Sequence, residues 1–164
     1  MVVPLPVRLI GVALLFALCF CVVSRLLDAY VWGPGISFAL CSALLFLRSW
    51  RAVYAAPLIV ALYIGSIWVF LSTPKSFDIH YYISGLVGGV GLVLCAAICY
   101  PRLLSPGYLC CGGALGALCA LPFEWWSDST STAIWQAVLG TYLYAICTRV
   151  NQKVMPDGLQ GKPG

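Results

Sequence analysis

The chain has 164 residues, of which 62% are apolar and only 9% charged, with a formal net charge of +4. A soluble domain carries roughly 25% charged residues, so a water-exposed fold is excluded and the solvent this composition calls for is the lipid bilayer. The small positive excess is explained by basic residues gathered on one side of the membrane, and no nucleic-acid partner is expected.

Inside lipid each backbone N–H and C=O needs a partner within the protein, so a spanning segment is a helix or part of a closed barrel. The apolar stretches here are continuous and lack barrel alternation. The expected fold is therefore an all-α, polytopic bundle of about six transmembrane helices, near 9–27, 35–50, 53–71, 82–100, 108–124 and 132–148. Residues 1–150 form a single membrane-embedded domain and 151–164 a flexible cytoplasmic tail, because Pro156-Asp157-Gly158 and Gly161-Lys162-Pro163-Gly164 suit no regular element.

The first apolar run follows Arg8, as in a signal peptide, but the small-residue cleavage pattern expected after it is not distinct. Ala17-Leu18 before Cys19 also fits a lipoprotein signal poorly, so the segment is read as a retained helix. Arg25 and Asp28 stand three apart at its end, suited to a local ion pair. Trp32-Gly33-Pro34-Gly35 breaks the chain before the second helix, which is consequently short, tilted or re-entrant. The fourth helix opens beside His80.

Helices already in lipid gain little from further apolar burial, so small residues four apart mark their contacts. Gly85 and Gly89 in the fourth helix, and Gly112 and Gly116 in the fifth, are the strongest such ladders and are expected to pack these two helices together. Weaker ones are Ala13-Ala17-Cys21, Ala39-Ala43, Ala61-Gly65 and Ala133-Ala137-Thr141-Ala145. The string Phe38-Ala39-Leu40-Cys41 recurs as Gly116-Ala117-Leu118-Cys119, which suits an inverted repeat. Phe16-Ala17-Leu18-Cys19 also matches, which a small apolar alphabet explains equally well.

With six spans and a cytoplasmic N-terminus, Arg8, Arg48, Arg51, Arg102, Arg149, Lys153 and Lys162 fall inside, and only Arg25 and Lys75 outside. This is the asymmetry of the positive-inside rule, and it predicts that both termini are cytoplasmic, in a bacterial inner membrane. Tyr30, Trp32, Trp50, Trp68, Tyr81, Tyr82, Tyr100, Trp125 and Trp126 lie near the predicted boundaries, where amphipathic rings prefer the headgroup level.

All nine cysteines lie in or at the ends of apolar spans, without a Cys-x-x-Cys, so they are read as small hydrophobes with no cofactor or metal to hold. No Asp, Glu, His, Lys or Arg falls at mid-depth, where ion-coupled carriers place them. Arg25, Asp28, Asp78, His80 and Glu124 form a candidate outer mouth: a ligand entrance or a cation site on one reading, solvated loop chemistry on the other. No nucleophile and base stand at recognisable spacing, so no enzyme is expected.

Ala13 and Ala17 resemble the Ala-x-x-x-Ala by which solute-binding subunits of energy-coupled vitamin importers dock, a likeness implying a six-helix substrate-binding component. Trp32-Gly33-Pro34-Gly35-Ile36 with Arg48 and Trp50 is similar to the second span of bacterial membrane sensor domains, which implies a sensor module. Each covers too little of the chain to name a family. The function expected from the residues is that of a non-enzymatic transport-associated or accessory subunit that meets other membrane subunits; the alternative is a facilitative carrier or substrate-binding component.

Overall fold

The computed structural model describes residues 4–27, 33–45, 50–73, 79–124 and 128–152. It is an all-α bundle of six helices: α1 (Leu5–Leu27), α2 (Gly33–Leu45), α3 (Ala52–Ser72), α4 (His80–Cys99), α5 (Pro106–Leu118) and α6 (Asp128–Gln152), with no strand among the described residues. Four segments are long and apolar enough to cross a membrane: Leu5–Leu26, Ala52–Ser72, His80–Cys99 and Pro106–Phe123. At 13 residues, α2 rises only about 20 Å, short of the ~30 Å hydrocarbon core. α6 has the length at 25 residues, but hydroxyls and Gln136 dilute its apolar character.

Prolines set several of the boundaries. Tyr100 leaves the helical region (φ −129°, ψ 80°) because it precedes Pro101, and α4 ends there. Ser105 is extended and Pro106 opens α5 in the first turn, where its missing N–H leaves no bond unmade. The expected fifth helix to residue 124 is too long. It stops at Leu118, and a 3-10 turn, Leu121–Glu124, follows, because the Pro122 ring would strike the carbonyl of Leu118.

The predicted break at Trp32-Gly33-Pro34-Gly35 is placed too late in the chain. Gly33-Pro34-Gly35 is the first turn of α2 and is buried, since proline is tolerated where helical N–H groups have no partner anyway. α6 runs to Gln152, two residues into the segment read as tail; 153–164 lie outside the described residues.

α2, α3, α4 and α5 pack chiefly on their neighbours in sequence, whereas α6 packs chiefly on α1 and only weakly on α5. α1 turns Val12, Phe16 and Phe20 inward at a spacing of four. The Phe16 ring lies where a side chain on Gly140 of α6 would be, and stacks obliquely on Phe38 of α2 at 4.9 Å. Phe16, Phe38, Val93, Leu103, Leu139, Leu143 and Cys147 form a continuous core.

The closest contact is α4 on α5. A Cβ on Gly85 would fall against the Gly116 carbonyl, and one on Gly89 against that of Gly112 and 3.2 Å from Gly116 Cα. Backbone therefore touches backbone, which maximises the dispersion contacts that hold helices together in lipid. The ladder expected on α3 makes no such contact: Gly65 has open space around it and Ala61 is exposed. Leu14, Leu18, Leu44, Val53 and Trp68 are likewise exposed, as side chains facing acyl chains should be.

Candidate functional site

A buried polar joint ties α6 to α2. Gln136, in the third turn of α6, is 0% exposed, as is Ser37 of α2. The Gln136 amide Nε2 donates to the Pro34 carbonyl at 2.7 Å, and its Oε1 accepts from Ser37 Oγ at 3.0 Å. Ser37 Oγ is also 2.9 Å from the Pro34 carbonyl, so its single proton is shared between two acceptors. Unpaired, these groups would be costly away from water; together they pin the first turn of α2 to α6.

The preceding residue on α6 is Trp135, whose ring lies 6.0 Å from Phe38 and 6.4 Å from Tyr63. Gly88 of α4 makes room for it, since a Cβ there would come 2.9 Å from the indole.

Beyond Trp135 the helices stand apart around a cavity of about 780 Å³. Phe20, Tyr63, Phe70, Tyr81, Phe123 and Trp135 supply its aromatic surface; Ser24, Ser66, Ser84, Ser129 and Thr132 supply hydroxyls. Its walls come from the C-terminal parts of α1 and α3, the N-terminal parts of α2, α4 and α6, and the turn after α5. The cavity is therefore at one end of an alternating up-and-down bundle. Arg8, Arg51, Arg102 and Arg149 belong to the opposite helix ends, where Arg51 lies over the Trp50 ring at 5.9 Å and reaches the Ile98 carbonyl at 3.4 Å.

Two of the hydroxyls serve the wall itself. Ser66 Oγ donates to the Tyr63 carbonyl and Ser84 Oγ to the Ser66 carbonyl, both at 2.7 Å, the second joining α4 to α3. Ser24 Oγ is buried and has no hydrogen-bond partner among the described residues. Arg25, next to it, is the one charged side chain among the described lining residues. At the same end, His80 stacks with Tyr81 at 4.3 Å and with Phe70 at 4.9 Å, and Tyr81 lies nearly parallel to Phe123 at 5.6 Å.

Of the five residues proposed as an outer mouth, Arg25 lines the cavity, and His80 belongs to the aromatic cluster beside it without lining it. Glu124 ends the turn that brings Phe123 to the wall, but its side chain, with Asp28 and Asp78, lies outside the described residues. Among the described residues no three His, Cys, Asp or Glu side chains come together as a metal site.

Reading the sequence for charge overlooked Gln136, Ser24 and the hydroxyl band. The available signal was the single amide inside the uncharged stretch 129–148, since a polar group in a membrane helix turns toward protein rather than lipid.

The surface offers rings, hydroxyls and one cation, with no carboxylate, imidazole or amine among the described lining residues. Its volume is that of pockets holding small organic molecules. No protein-family model, curated protein or solved structure matches this chain.

Proposed function

We propose that this chain is a multipass membrane protein that binds a small organic molecule in the cavity at the cavity-lined ends of its six helices, as a substrate-binding or facilitative component. One observation carries the reading: about 780 Å³ of space walled by six aromatic rings and five hydroxyl side chains in a bundle whose other half is closely packed. Small helical membrane proteins stabilised by contact alone have no use for such a volume.

The basic residues support an orientation. Arg8, Arg51, Arg102 and Arg149 belong to the ends away from the cavity, and basic residues favour the cytoplasmic side, so the cavity opens outward and both termini are cytoplasmic. A bacterial inner membrane suits this arrangement. Reporters fused after Val154 and within Ser127–Ser131 should report opposite sides; equal answers would reverse or break the topology.

Native mass spectrometry of protein gently extracted from its own membrane tests the binding reading. Wild type is expected to carry a small molecule that Ile67→Trp, which puts an indole into the cavity, does not. A second polypeptide retained equally by both proteins, with no small molecule on either, would instead favour the accessory-subunit reading.

A further inference from the structure

The composition of the cavity wall restricts what it can hold, and the restriction differs with depth. Around Trp135, Tyr63 and Phe20 the described lining has no charge, so an ionised group carried there would lose its hydration without a counterion. The part of a ligand reaching that depth must be uncharged and flat enough to lie against rings. The wall also holds Arg25, which is exposed, and beside it the buried Ser24 hydroxyl, which has no partner among the described residues.

An unsatisfied buried hydroxyl costs free energy that a bound acceptor returns, and a guanidinium is a planar fork matched to carboxylate, sulfonate or phosphate oxygens. Gly33 of α2 lies against Ser24, since a Cβ there would come 3.4 Å from Ser24 Oγ.

Building on the small-molecule reading above, we propose that the ligand is an amphipathic organic anion: an apolar ring body among Phe20, Tyr63 and Trp135, with one acidic head on Arg25 and Ser24. Arg25 and Ser24 thereby select the head, and the aromatic floor selects the body.

The test uses the full chain in nanodiscs with a matched pair of fluorescent probes, anilinonaphthalene sulfonate and its uncharged parent phenylnaphthylamine, and takes Ile67→Trp as background. The sulfonate is expected to bind at least about tenfold tighter than the parent, as a charge-assisted hydrogen bond implies. Arg25→Gln should abolish that preference, and Ser24→Ala should reduce it in part. Arg25→Lys, which keeps the charge but loses the fork, should restore only some of it.

Equal binding of both probes, unmoved by Arg25→Gln, overturns the head assignment and leaves the cavity reading standing. Binding of neither probe above the Ile67→Trp background overturns both. Where the preference is found, displacement of the sulfonate by phosphatidylglycerol in the nanodisc supports an acidic head supplied by lipid, and displacement by naphthoate supports one supplied by a soluble acid.

Discussion

The α4–α5 seam and the cavity are two solutions to arranging helices in lipid. At the seam Gly85 and Gly89 meet Gly112 and Gly116 with nothing between the backbones. At the cavity Phe20, Tyr63, Phe70 and Trp135 line a space of about 780 Å³ between the helices. Because lipid tails are as apolar as leucine, neither arrangement is driven by the hydrophobic effect. Where side chains vanish the helices lock together, and where rings stand upright they leave a container. The difference teaches that one helix can serve both arrangements, since Gly85 of α4 meets Gly116 at the seam and also lines the cavity.

The comparison breaks first at the seam. Gly89→Leu should destabilise the bundle by more than about 3 kcal/mol, at the upper end of overpacking penalties, because the obstacle is the Gly112 carbonyl and not a movable side chain. Thermal unfolding in detergent is the measurement, and an unchanged midpoint would remove the packing account of these glycines.

The joint between the two regions should respond less. Gln136→Leu leaves the Ser37 hydroxyl and the Pro34 carbonyl without their amide partner, and interhelical hydrogen bonds in membranes are worth about 0.6 to 1.7 kcal/mol. A loss of about 1–2 kcal/mol is expected, with ligand binding weakened as well because Trp135 of the cavity wall precedes Gln136 on α6. Stability lost with binding fully retained would uncouple the joint from the cavity.

Filling the container should do the reverse. Ile67→Trp is expected to move stability by less than about 1 kcal/mol while removing binding, since it occupies space rather than opening a packed contact. The smallest effect belongs to Gly65→Leu, within about 0.5 kcal/mol, because nothing lies near that position. A large loss there would mean that a neighbouring molecule covers the outer face of α3.

What could be read from residues alone followed the same division. The glycines of α4 and α5 were legible because spacing of four is a one-dimensional signal and backbone contact has few other causes. Ala61-Gly65 carries the same signal yet faces outward: a small residue permits close approach and does not require it. The Arg25 and His80 end was legible through charge. Ser24, Ser66, Ser84 and Thr132 were not, because a hydroxyl in an apolar helix can satisfy itself on its own backbone, as Ser66 does on Tyr63 and Thr141 on Ala137.

By itself the sequence determined that the chain is helical and made for lipid, because unpaired backbone is intolerable in hydrocarbon and a count of charges measures how little water the surface can meet. Prolines within it also set where several helices start and stop. Only the tertiary structure decided that α6 returns to α1, that Gln136 is tied to Pro34 and Ser37, and that the helices part at one end. Those outcomes depend on which faces meet, and when nearly every face is apolar the pattern along the chain cannot distinguish a face turned to lipid from one turned to a neighbour or to an open cavity.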